Sequence, residues 1–111
     1  MSINVSVLIS FLVENDANEV HANVPYSSAD HPVYMVDTSQ IESRQFVELK
    51  VIFDSQGKTS SNQDPMLAAE MIPELEDVPS ETSLTLWFDG DRVYPTSMEM
   101  KDGNAVLKYE V

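Results

Sequence analysis

Apolar side chains recur at every second position near the start of the chain: Ile3, Val5, Val7, Ile9, Phe11 and Val13, with Asn4, Ser6 and Ser10 between them. A period of two with many β-branched residues predicts a strand with one buried face. Leu8 and Leu12 interrupt the polar side, so the second face is expected to be partly covered. Glu14-Asn15-Asp16-Ala17-Asn18 is turn chemistry, because Asn and Asp tolerate left-handed backbone. Val20, Ala22 and Val24 then alternate with His21 and Asn23, which predicts an antiparallel hairpin of two strands.

Pro25 to Pro32 reads as a loop, and Val33–Val36 as a short edge strand. Val47, Leu49, Val51 and Phe53 alternate with Glu48, Lys50 and Ile52, a strand that ends at the turn residues Asp54 to Gly57. The polar tract from Lys58 to Gln63 is expected to be a mobile loop. Asp64-Pro65 predicts a helix start, since Asp caps free N–H groups and Pro at the first position has none to lose. Met66, Leu67, Met71 and Ile72 share a face, and Pro73 is expected to end the helix. Leu84, Leu86 and Phe88 predict a strand, with Asp89-Gly90 as its hairpin turn. Val93-Tyr94 resumes the strand pattern and Pro95 interrupts it. Met98–Met100 should pair with Val106–Val111 across Lys101-Asp102-Gly103-Asn104, with Leu107, Tyr109 and Val111 buried. All the prolines are expected in loops, at helix ends or at strand edges, where a missing N–H breaks no ladder.

The predicted fold is α+β, mainly β: a small antiparallel sheet, meander or sandwich of about six strands, with one short helix near residues 65–72. A length of 111 residues fits one domain, 1–111, with a single core. An apolar fraction of 42% excludes a disordered chain.

Charge changes the picture more than composition does. Nineteen Asp and Glu stand against six Lys and Arg, a formal net charge of −13 and a pI near 4.1. Direct binding to nucleic acid or to an anionic membrane is thereby disfavoured, since both demand Lys and Arg. Between Lys58 and Arg92 there is no basic residue, while Asp64, Glu70, Glu74, Glu76, Asp77, Glu81, Asp89 and Asp91 all fall there. On an extended chain, residues two apart project to one side about 6.5–7 Å apart. Glu74/Glu76 and Asp89/Asp91 have that spacing, similar in scale to successive phosphates of a nucleic-acid strand. Trp87, alternating opposite Leu86 and Phe88, is expected to point outward beside Asp89 and Asp91, as a protein-binding hot spot would; cover by the helix or a loop is the other reading. The plainer reading of the acids is a solvated face that keeps the chain soluble.

Catalytic and metal chemistry find little footing. The absence of cysteine excludes disulfides and thiolate sites. Asp89-Gly90-Asp91 lacks calcium-loop spacing, and two histidines do not make a structural zinc site, so no metal and no cofactor are expected. Ser27, Ser28, Asp30 and His31 crowd one loop, but sequence neighbours rarely have triad geometry. His31 therefore reads as a polar loop residue and His21 as an exposed strand residue. The three glycines, Gly57, Gly90 and Gly103, lie in separate turns and make no phosphate loop. Met1–Val13 lacks the basic start and cleavage pattern of a signal peptide, so a reducing cytoplasm is expected.

The sequence thus points to a non-enzymatic acidic binding protein that occupies or inhibits a basic partner, such as a nucleic-acid-binding protein or nuclease. A nucleic-acid mimic carried by a phage or mobile element, or an immunity protein, uses this physics. The carboxylates from Asp64 to Asp91, with Trp87, are the expected contact residues. The alternative is a small structural or assembly subunit of a virion or larger complex. Its contact would be a strand edge around Val33–Val36 or the C-terminal strand. Exposed edges also leave room for a homodimer.

Overall fold

The computed structural model describes residues 3–23, 30–39, 45–52, 65–88 and 90–109. Its elements are α1 (Val5–Glu14), β1 (Val20–Asn23), β2 (Asp30–Asp37), β3 (Phe46–Val51), α2 (Ala68–Glu76), β4 (Ser83–Phe88), β5 (Asp91–Val93), β6 (Ser97–Lys101) and β7 (Asn104–Lys108). The strands form one curled sheet in the order β5-β4-β3-β2-β1-β7-β6. The mainly β character matches expectation. The sheet is mixed, however: β1 pairs β7 and β3 pairs β4 in parallel, while the other four pairings are antiparallel.

The first segment is a helix, not a strand, so the predicted opening hairpin does not form. Its apolar positions satisfy both periods, and burial chooses the helical one: Val5, Leu8 and Leu12 are buried at i, i+3 and i+7, while Val7 is 46% exposed. Asn4 caps the helix, its Oδ1 accepting the Val7 N–H at 2.9 Å. The Val5 and Ser6 N–H groups donate to the carbonyls of Thr82 and Ser80 at 2.9 and 3.1 Å. The free N–H groups of the first turn are therefore met by distant parts of the chain. The turn residues after α1 behave as expected, with Asp16 at φ 48°, but they lead from a helix into β1.

β2 begins at Asp30 and lies in the middle of the sheet, bonded to β1 and β3, so neither the loop to Pro32 nor an edge strand at Val33–Val36 is correct. Pro32 is thus inside a central strand. It faces His21 across the β1 ladder, and its carbonyl accepts Ile52 N–H at 2.8 Å where the β3 ladder ends. His31 is likewise a buried strand residue, 8% exposed, rather than a loop residue. Among the described strands the edges are β5 and β6; the C-terminal strand β7 is internal.

α2 is displaced from the predicted helix. Leu67 occupies its cap, with Glu70 Oε1 accepting the Leu67 N–H at 3.4 Å, and Asp64 lies outside the described residues. Pro73 sits inside the helix instead of ending it. A proline there forfeits one backbone bond, and burial of Met71 and Leu75 offsets the loss by holding both sides of it in the core. The predictions for Phe53, for Val24 and Val111, and for the Lys58–Gln63 tract fall outside the described residues.

One core unites the helices and one sheet face. Leu8, Leu12, Met71 and Leu75 pack with Val20, Val33, Leu49, Leu86 and Leu107. Burying each such side chain contributes roughly 1.5–3 kcal/mol. The hairpins at the C-terminal end match expectation. β4 turns into β5 through Gly90 at φ 84°, and β6 into β7 through Asp102 and Gly103 at φ 55° and 84°. Leu107 is buried as predicted; Tyr109 lies beyond the end of β7.

Candidate functional site

Side-chain alternation splits the sheet into a face that meets the helices and a far face. Phe46, Glu48 and Lys50 of β3, Thr85 and Trp87 of β4, and Arg92 of β5 are in register on the far face. Arg92 donates from Nε to Glu48 Oε2 at 2.6 Å, and its guanidinium lies 4.5 Å from the Phe46 ring centre. Lys50 reaches Asp37 at 3.5 Å and stands 5.1 Å from the Trp87 ring. At the other end Lys108 pairs Glu99 at 2.9 Å. Lys101 on β6 meets Asp30 on β2 at 3.1 Å although β7 and β1 lie between them. A flat sheet would separate those strands by about 14 Å, so this contact reflects the curl.

These four cations are all the Lys and Arg among the described residues, and each pairs a carboxylate of the sheet. The electrostatics follow. The hydroxyl and N–H of Ser39 hold the Asp37 carboxyl below its usual range against the opposing effect of burial, with lesser help from Lys50. Hydrogen bonding and attraction from Asp30 raise Lys101 above the usual range for an amine.

The helix layer is the opposite. Glu14 ends α1 and Asp16 follows it; Glu70, Glu74, Glu76, Asp77 and Glu81 lie on or just after α2, all exposed. Among the described residues none of these seven has an ion pair. Glu74 and Glu76 are both in α2, so the extended-chain spacing predicted for them does not apply. On a helix the row runs instead through Glu70, Glu74 and Asp77, with about 6 Å of axial rise between the first two. Glu70 also serves locally, at the positive end of the helix dipole.

The expected contact residues therefore separate. Glu70, Glu74, Glu76, Asp77 and Glu81 share the helix side. Asp91 is exposed on the edge strand β5, and Trp87 is half-buried on the far face beneath Lys50, away from the α2 row. Asp64 and Asp89 lie outside the described residues. His21 is half-buried and bonded to Glu19 at 2.9 Å, not an exposed strand residue. Among the described residues no three His, Asp or Glu side chains converge to hold a metal ion, and no helix is long and apolar enough to cross a membrane.

Sequence reasoning missed a second surface. α1 lies antiparallel beside α2: its start is bonded to Ser80 and Thr82 beyond α2, and Asn18 beyond α1 accepts Ala68 N–H at the start of α2. Its outward side carries Ser6, Val7, Ser10 and Val13, with Val13 61% exposed. The available signal was the run without charge from Ile3 to Val13, which the strand reading assigned to a buried sheet.

Compared with known protein families, characterised proteins and solved structures, the chain matches none of them.

Proposed function

We propose that this chain is a non-enzymatic acidic binding protein that occupies a basic partner, with exposed carboxylates of the helix layer standing where phosphates would. One observation supports the reading above the others. The described Lys and Arg are all engaged with sheet carboxylates, while the acids on and around α2 have no cation among the described residues. Crowding of unpaired like charge destabilises a fold, so a single-signed face is a cost that favours a docking role. A nucleic-acid-binding protein or nuclease of the cytoplasm is the partner class this charge suits. An inhibitor carried by a phage or mobile element, or an immunity protein, would work in this way.

The test is capture of basic proteins by the immobilised chain at low and high salt, with DNA as competitor. Binding should collapse as salt screens the charge over a Debye length of about 10 Å at 0.1 M and less above it, and DNA should compete for the partner. Exposed Val7 and Val13 favour a second reading, a structural or assembly subunit. It requires capture that is indifferent to salt and DNA, and that result would displace the first.

A further inference from the structure

We infer that the outward ridge of α1 seats a basic amphipathic helix of a protein partner, an inference that rests on the acidic-binding reading above and names its partner. A surface helix ordinarily turns charged residues outward; α1 has none before Glu14. Its crest begins with two small side chains, Ser6 and Ser10, one turn apart, and ends at the exposed Val13. A groove of about 310 Å³ runs on the α2 side, walled by Ile9, Leu75 and Val78. A second, of about 320 Å³, runs on the β6 side, walled by Val7, Phe11 and Met98. Ser6 and Ser10 line both. A serine stretch between two shallow, largely apolar grooves is what the ridges of another helix pack into.

The rims decide the occupant. Glu76 stands in the wall of the first groove and Glu14 in that of the second, and neither has an ion pair among the described residues. A second copy of this chain would bring Glu14 and Glu76 toward the same carboxylates, a like-charge approach. A helix with an apolar stripe flanked by Lys or Arg satisfies grooves and rims together, the helix-in-groove mode of recognition.

The experiment uses a Leu–Lys peptide of about 18 residues, five helical turns, with Leu on one face, and a scrambled peptide of identical composition. Binding is read by fluorescence anisotropy, and self-association by sedimentation. The amphipathic peptide should bind at least about tenfold tighter than the scrambled one, and Ser10→Arg on the exposed crest should abolish that preference. Glu14→Gln with Glu76→Gln should weaken binding and flatten its salt dependence, with circular dichroism confirming that each variant folds. Equal, salt-sensitive binding of both peptides overturns the groove and leaves the acidic-binding reading standing. Binding of neither peptide at low salt overturns both. A dimer that Ser10→Arg dissociates assigns the ridge to a second copy and overturns the basic helix.

Discussion

Replacing Arg92 with Met tests how far the sheet depends on its cations. Glu48 is only 4% exposed, and its carboxylate takes the Arg92 Nε at 2.6 Å. Removing one partner of a fully buried pair costs about 3–5 kcal/mol, because a charge is left without compensation. The Arg92 side chain is 29% exposed, so solvent screens part of this interaction. Met keeps most of the stem packing but loses the cationic contact with Phe46, worth about 0.5–1 kcal/mol where exposed. The expected loss is about 2–3 kcal/mol. Glu48→Gln should cost less, about 1 kcal/mol, since the partly exposed Arg92 side chain it frees can turn to water. The double variant Arg92→Met/Glu48→Leu should recover to within about 1 kcal/mol of the parent. Urea unfolding followed by circular dichroism measures all three. Arg92→Met within about 0.5 kcal/mol of the parent, the scale of an ordinary surface change, would refute the reasoning, as would Glu48→Gln costing more than Arg92→Met.

Leu8→Ala should destabilise by about 2–4 kcal/mol and Val7→Ala by under about 0.5; a strand over the same residues would bury Val7 with Val5 and Ile9, and so reverses the order in the same unfolding assay. Asn4→Ala, which removes the α1 cap, should cost about 1 kcal/mol by thermal unfolding. Because the Asp37 carboxyl lies below its usual range, its contribution to stability is complete above the unfolded value of about 3.9 and is lost as pH falls through the lowered value. Ser39→Ala should raise the midpoint of Asp37 in a carboxyl NMR titration, and the acid side of the stability curve should move to higher pH with it.

Alternation and turn chemistry were enough for β3, β4 and the β6–β7 hairpin, because each is decided by neighbours in sequence: Leu84, Leu86 and Phe88 alternating with Thr85 and Trp87, Asp102-Gly103 at positive φ. Net charge and the base-free stretch before Arg92 were equally plain. The tertiary structure decided the rest, since its causes lie far apart in the chain. Residues 3–13 carry both periods, and the carbonyls of Ser80 and Thr82 complete the helix that Asn4 begins. Two parallel pairings place β2 at the centre of the sheet and take β7 off its edge, and no local pattern encodes them. The seven acids without an ion pair among the described residues could be read as residues, but their isolation could not. It follows from register, which collects the described cations among sheet carboxylates and leaves the helix side negative beside an α1 with no charge before Glu14.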